Sequence, residues 1–188
     1  MAQVCLLRMV VTVSDAPPTF LAELSWLAEY PADLSPPLLD WLCDQGSLTR
    51  RLQAIDLDSF TVEVVAEAWQ PLDAESAAYM ATAAEQQVWV RDVYLHLFGQ
   101  PWVQARTLIP ESTLAGPGQH LQRLGDKPLG AALFRHGQPD RTPLQLGRAK
   151  ATEQGEDWLW GRRSTFFLQQ HPLVVMEFFL PPLLEHLQ

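Results

Sequence analysis

Cysteine is scarce in this chain: there are 2, Cys5 and Cys43, which form no CxxC pair and cannot supply the disulfide framework on which small secreted domains depend. A reducing, cytoplasmic setting is the expectation. Metal-ligand patterns are missing as well. The 5 histidines, His96, His120, His136, His171 and His186, have no HxxxH or related spacing, so no metal is expected. Positive charge is in short supply, 13 basic against 22 acidic side chains for a formal net charge of -9. That balance repels phosphate backbones and anionic headgroups over most of the surface, so no nucleic-acid partner is expected. It leaves room for an anionic small molecule, because a few buried cations set the potential of a pocket whatever the overall charge. No uncharged apolar run is long enough to span a bilayer. Val4 to Val13 is apolar, but Arg8 interrupts it and no convincing cleavage pattern follows, so residues 1–19 read as an N-terminal extension rather than a signal peptide.

What is present is a globular balance. Of 188 residues, 47% are hydrophobic and 19% charged, enough for one domain over residues 20–188 that buries a single core. Phe20 to Leu27 carries helical apolar spacing. Ser35-Pro36-Pro37 reads as a helix start running through Leu38, Leu39, Trp41 and Leu42 and stopped by Gly46, and Ser47 caps a second helix beginning at Leu48. From Phe60 the period becomes two, with Phe60, Val62, Val64, Ala66 and Ala68 on one face of a strand. Residues 73 to 85 are helical in composition. Val88 to Leu97 and Trp102 to Ile109 read as a hairpin about Phe98-Gly99-Gln100-Pro101. After a stretch of loop and short helix, with Pro128 opening a turn at Leu129, three strands follow: Pro143 to Arg148, Trp158 to Leu168, and Leu173 to Leu180, the last two joined at Gln169-Gln170-His171-Pro172. Pro181-Pro182 ends the sheet. Six strands with helices inserted between pairs predict an α+β fold with an antiparallel sheet.

Two ionisable residues sit where only apolar ones belong. Arg91 shares a face with Trp89, Val93, Leu95 and Leu97, and a guanidinium cannot shed its proton to escape burial, so it needs a carboxylate or a bound anion. Glu177 is the sole ionisable side chain between Leu173 and Leu180, on a strand apolar on both faces. Burial raises its pKa and a neighbouring arginine lowers it. The two either pair with each other or bracket a polar ligand in an apolar cavity. The helix starts at Ser47 and Pro128 add free amides, those of Leu48 and Leu129, able to donate to carboxylate or hydroxyl oxygens. In Gly161-Arg162-Arg163-Ser164 the two arginines occupy opposite faces of a strand, so at most one of them faces inward, as a structural ion pair or a ligand contact, and the other is expected in solvent.

The segments Leu38-Leu39-Asp40-Trp41-Leu42, Ser47-Leu48-Thr49-Arg50-Arg51, Trp89-Val90-Arg91-Asp92, Pro101-Trp102, Arg106-Thr107, Ser112-Thr113-Leu114-Ala115-Gly116-Pro117, Pro128-Leu129-Gly130, Trp160-Gly161-Arg162-Arg163-Ser164 and Glu177-Phe178-Phe179-Leu180-Pro181 stand in the order found in chorismate pyruvate-lyases. From about residue 20 to 182 the chain resembles that family.

The resemblance implies a six-stranded antiparallel sheet flanked by helices and a monomeric, cytoplasmic enzyme. It implies an activity, elimination of pyruvate from chorismate to leave 4-hydroxybenzoate, that uses no cofactor and opens ubiquinone biosynthesis. It also implies roles: Arg91 on the ring carboxylate, Glu177 on the ring hydroxyl, and the main-chain amides of Leu48 and Leu129 completing the ligand contacts. Two positions depart from the familiar pattern. Leu48 replaces a methionine, which matters little to a backbone contact, and Ala105 replaces a glycine, adding a methyl to a tight pocket. The rival expectation is a non-catalytic, effector-binding domain of the related regulator-sensor fold. Such a protein carries a basic helix-turn-helix segment, and the first 35 residues are too few and too acidic to form one.

Overall fold

A computed structural model of the chain describes residues 22–32, 34–150 and 158–188, and its framework is one antiparallel sheet. In chain order the elements are β1 (Ala22–Trp26), α1 (Pro36–Cys43), α2 (Leu48–Ile55), β2 (Thr61–Pro71), α3 (Ala74–Tyr79), β3 (Gln87–Leu97), β4 (Gln100–Pro110), α4 (Glu111–Leu114), a 3-10 turn (Gln119–Arg123), α5 (Leu129–Leu133), β5 (Asp140–Arg141), β6 (Gln145–Lys150), β7 (Trp158–Leu168), β8 (His171–Phe179) and α6 (Pro181–His186). The strands run β1-β6-β7-β8-β4-β3-β2 across the sheet, with β5 also paired to β7.

The α+β architecture is the one expected, with eight strands among the described residues in place of six. The two additions are the two-residue β5 and β1, which lies where helical spacing was expected. β1 is an edge strand: Ser25 and Trp26 pair with Arg148 and Gly147 of β6, and the Leu27 amide donates to the Leu146 carbonyl at 2.9 Å. In so short an amphipathic stretch, ladder hydrogen bonds to an open sheet edge outweigh helical periodicity. Phe20 and Leu21, the start of the expected helix, lie outside the described residues. The helix expected over 73 to 85 is confined to α3, and β6 starts two residues later than its expected Pro143.

Both long hairpins turn on two residues at positive φ, Phe98 (52°) with Gly99 (73°) and Gln169 (46°) with Gln170 (72°). That conformation matches the right-handed twist of the flanking strands. His171 and Pro172, expected in the second turn, already belong to β8.

Both faces of the sheet are covered. On one, Val90, Leu108, Val174, Met176 and Phe178 pack with Ala77 and Tyr79 of α3 and with Trp26 of β1. On the other lie two separate apolar clusters. One joins Trp41, Leu42, Leu48 and Leu52 of α1 and α2 to Leu95, Val103 and Phe179; the second joins Leu121, Leu133 and Phe134 to Ile109, Phe166, Leu173 and Val175. The space between those two clusters, roofed by α2 and α5, is where the cavity opens.

This double cover corrects the reading of Arg162 and Arg163. They do point to opposite faces, yet both are buried, at 1% and 4% exposure. Arg163 donates to Gln145 and Glu75, and its guanidinium lies 3.7 Å from the Tyr79 ring and 4.2 Å from that of Trp26. Burial lowers its pKa, with the Glu75 hydrogen bond opposing. The expectation of a solvated arginine assumed one buried face, and α3 with β1 supplies a second. Among the described residues, no helix is long and apolar enough to cross a membrane.

Candidate active site

The cavity floor is the sheet face carrying Arg91 and Val93 (β3), Ala105 and Thr107 (β4), Val175 and Glu177 (β8), and Arg162 and Phe166 (β7). Arg91 stands opposite Thr107, Ala105 opposite Glu177, and Glu177 opposite Arg162. All four residues singled out from the sequence, Leu48, Arg91, Leu129 and Glu177, line this one chamber.

Arg91 is 2% exposed. Its partner is Glu67 of β2, which accepts from Nη1, while Nη2 donates to the carbonyls of Gly125 at 2.7 Å and Lys127 at 3.3 Å. Glu177 accepts instead from Nε of Arg162 at 2.7 Å. Of the two arrangements left open by the sequence, direct pairing of Arg91 with Glu177 does not occur: each has its own partner, and β4 separates them. Nη1 of Arg162 also donates to the carbonyls of Trp41 at 2.8 Å and Asp44 at 2.9 Å, where α1 ends. The last carbonyls of a helix lack intrahelical donors and carry partial negative charge, so a guanidinium there satisfies them and fixes α1 to the sheet.

The roof is made from two helix starts. Ser47 caps α2, its hydroxyl accepting from the Arg50 amide at 3.4 Å. Pro128 precedes α5, fixing its own φ at -68°. Leu48 and Leu129 are the first residues of these helices, so their amides have no partner within the helix. Gly130 lets the two starts approach: a Cβ there would fall 2.6 Å from Thr49 Oγ1 and 3.1 Å from Ser47 Oγ.

Two polar residues, Glu67 and Arg141, escape the sequence reading, and a third, Arg162, is left unassigned by it. Glu67 faces Arg91 because the β2–β3 register shifts between Val64 and Ala66. Before this bulge Val62 and Val64 face the cavity side, and after it Glu67 and Trp69 do, so unbroken period-two counting placed Glu67 on the wrong face. β2 also carries Glu63, so Glu67 does not stand out in its strand as Glu177 does. For Arg162 and Arg163 the sequence leaves open which one faces inward and whether it makes a structural ion pair or a ligand contact; Arg162 lines the chamber and is ion-paired to Glu177. Arg141, on two-residue β5, lies in a stretch with no periodicity to read. It stands opposite Phe166, with its guanidinium 4.4 Å over that ring, and it donates to Ser164 Oγ at 3.2 and 2.6 Å and to the Gln45 carbonyl at 3.4 Å. Burial depresses its pKa, with the Glu177 carboxylate pulling the other way and Arg162 adding to the depression.

Chemically, the chamber presents two guanidiniums already committed to carboxylates, one that is not, and a carboxylate, on walls otherwise apolar apart from Thr49 and Thr107. Such a chamber suits a small anion with an unsaturated ring.

A family model described as chorismate lyase matches residues 20–187. A probable chorismate pyruvate-lyase of Pseudomonas putida is 40% identical over 168 residues, covering 86% of this chain and 91% of that protein. The chorismate pyruvate-lyase of Erwinia tasmaniensis is 38% identical over 161 residues, 86% of this chain and 88% of its own. Among solved structures, the effector domain of PhnF from Mycobacterium smegmatis superposes with a TM-score of 0.53 at 15% identity, covering 74% of this chain and 91% of that one. That likeness concerns the fold alone.

Proposed function

The chain belongs to the chorismate lyase family, and from that premise we propose how its chamber releases pyruvate from chorismate to leave 4-hydroxybenzoate. The supporting observation is the placement of Arg91 and Glu177 on one sheet face with β4 between them. Two strand spacings of about 4.8 Å each suit a six-membered ring bearing a carboxylate at one end and a hydroxyl at the other.

Arg91 takes the ring carboxylate. Its Nε–H is not used by Glu67 or by the two carbonyls and is available to a carboxylate oxygen, and Glu67 holds the guanidinium in place. Glu177, oriented by Arg162, meets the ring hydroxyl. The amides of Leu48 and Leu129 donate from the roof. The protein's task is to fix conformation: chorismate becomes aromatic once its enolpyruvyl ether breaks, so no strong nucleophile is needed. The C–O bond between ring and enolpyruvyl group breaks, and the hydrogen on the hydroxyl-bearing ring carbon passes to the departing methylene, giving the methyl of pyruvate. The ring keeps its hydroxyl and gains aromaticity, and the atoms of chorismate divide fully between the two products. A chamber that excludes water and holds the side chain over the ring supplies proximity and electrostatic preorganisation. The transfer is internal and needs no external oxidant or reductant, which supports a reaction without metal or organic cofactor. We place the enzyme in the cytoplasm as a monomer, at the entry to ubiquinone biosynthesis.

The test is to incubate the protein with chorismate and measure pyruvate and 4-hydroxybenzoate, in parallel for Arg91→Ala. The unmodified chain forms both in equal amounts, and a chelator leaves the rate unchanged. Arg91→Ala lowers kcat/KM by about 30-fold or more while circular dichroism is retained, the scale expected when one partner of a buried charge pair is truncated. A folded, fully active Arg91→Ala overturns the assignment, as does activity lost to a chelator and restored by metal.

A further inference from the structure

Chorismate carries two carboxylates, and the roles above account for one. The second sits on the enolpyruvyl group, whose ether oxygen is attached to the ring carbon next to the hydroxyl-bearing one. With the ring carboxylate on Arg91 and the hydroxyl at Glu177, the second carboxylate must therefore lie at the Glu177 end of the chamber, off to one side.

Among the described residues three guanidiniums line the chamber, and two of them are already ion-paired to carboxylates. Arg91 is bound to Glu67 and two carbonyls. Arg162 holds Glu177 through Nε, and its Nη1 is taken by the carbonyls ending α1. Arg141 differs: among the described residues no carboxylate lies within ion-pair distance of it, and its partners are a hydroxyl and a carbonyl. A half-buried guanidinium that feels Glu177 and Asp44 only from beyond ion-pair distance keeps the capacity to take up an anion in direct contact. Its position also fits. In strand order the sheet runs β5-β7-β8-β4-β3, so Arg141 lies beyond Glu177 when counted across the sheet from Arg91, four residues along β7 from the Arg162 that faces Glu177. Ser164 Oγ, two residues from Arg162 on the same face of β7, accepts from both Nε and Nη2 and holds the guanidinium over Phe166.

We infer that Arg141 receives the enolpyruvyl carboxylate, which makes it the residue that distinguishes substrate from product. The inference rests on the lyase reading of the same chamber and adds the group that pins the leaving side chain. Bound at both carboxylates, the substrate has its side chain held against rotation, and the methylene can be kept close to the ring hydrogen it takes up. After cleavage the carboxylate leaves with pyruvate, and 4-hydroxybenzoate keeps no contact with Arg141.

The experiment compares the unmodified enzyme with Arg141→Gln and Arg141→Lys, measuring kcat/KM for chorismate and the dissociation constant of 4-hydroxybenzoate by titration calorimetry. In Arg141→Gln, kcat/KM falls by about 10- to 150-fold, the worth of one hydrogen bond to a charged group, and product affinity stays within about threefold. Arg141→Lys keeps the charge without the planar fork and lies between. Turnover within about threefold of the unmodified enzyme in Arg141→Gln overturns the inference, and so does a parallel loss of product affinity, which marks a structural role. If Arg141→Gln does not fold, the same two measurements on Arg141→Lys decide, with product affinity kept and kcat/KM reduced as the supporting result. An unmodified chain that releases no pyruvate brings down the lyase reading itself; an active one indifferent to Arg141 brings down only this assignment.

Discussion

Glu67 and Arg91 stand directly opposite each other on β2 and β3, ion-paired, with the arginine buried and the glutamate at the rim. The carboxylate both neutralises the guanidinium and aims it. Glu67→Gln keeps the shape and removes the charge, leaving a buried cation to be compensated by its carbonyl acceptors alone. Such a change costs about 3 kcal/mol of stability, measurable by urea unfolding. Saturating 4-hydroxybenzoate restores part of the loss by supplying a replacement carboxylate, so the ligand-induced rise in Tm is larger in the variant than in the unmodified protein. An equal rise in both removes Glu67 from this role.

Gly130 is the close-approach residue of the roof. Its substitution by alanine sets a methyl against Thr49 and Ser47 and forces the α2 and α5 starts apart. A loss of about 1–3 kcal/mol is expected for overpacking of this kind, together with weaker binding of 4-hydroxybenzoate as the Leu48 and Leu129 amides separate. Unchanged affinity in a destabilised variant shows that the amides are not ligand contacts.

Ala105 lies in the floor between Val93 and Glu177 and is 8% exposed. Ala105→Val adds two methyls there without disturbing the ladder, where β-branched residues are at home. Product affinity falls at least about tenfold, equivalent to about 1.4 kcal/mol, and Tm does not drop. Retained affinity moves the ring away from β4.

Asp44, in the α1–α2 connection, accepts from the Gly46 amide at 2.8 Å and pairs with Arg51 at 3.1 Å. Partial burial by itself raises its pKa, but that amide and the Arg51 guanidinium win and hold the carboxyl below its usual range. A carboxyl depressed in the folded state contributes stability above its unfolded pKa, about 3.9, and loses it as pH falls through the lower folded value. Asp44→Asn therefore lowers Tm at pH 7, and the gap between variant and unmodified protein narrows below pH 4. A gap that is the same at pH 7 and pH 2.5 contradicts this sign.

How far the sequence discloses this fold depends on where the information is local. Arg91 is legible as a charge on an otherwise apolar strand face and Glu177 as the charge in an otherwise apolar strand, and the two caps above them because Ser47 and Pro128 announce helix starts. Glu67 is illegible because a single extra residue near Val65 reverses the alternation on which face assignment depends. Arg141 is illegible because two residues of strand between loops carry no period, and its proximity to Ser164 is created by pairing with residues 23 positions away. Arg163 misleads for another reason: nothing within β7 indicates that α3 closes over its second face. β1 misleads because an edge ladder is a tertiary opportunity, invisible in a short amphipathic segment.

Arg162 grips both the Glu177 side chain and the main chain at the end of α1. Lifting α1 from the sheet strips the buried cation of its carbonyl acceptors and leaves it to Glu177, a costly change for a group that cannot lose its charge. Raising α1 is therefore the costly way to open the chamber.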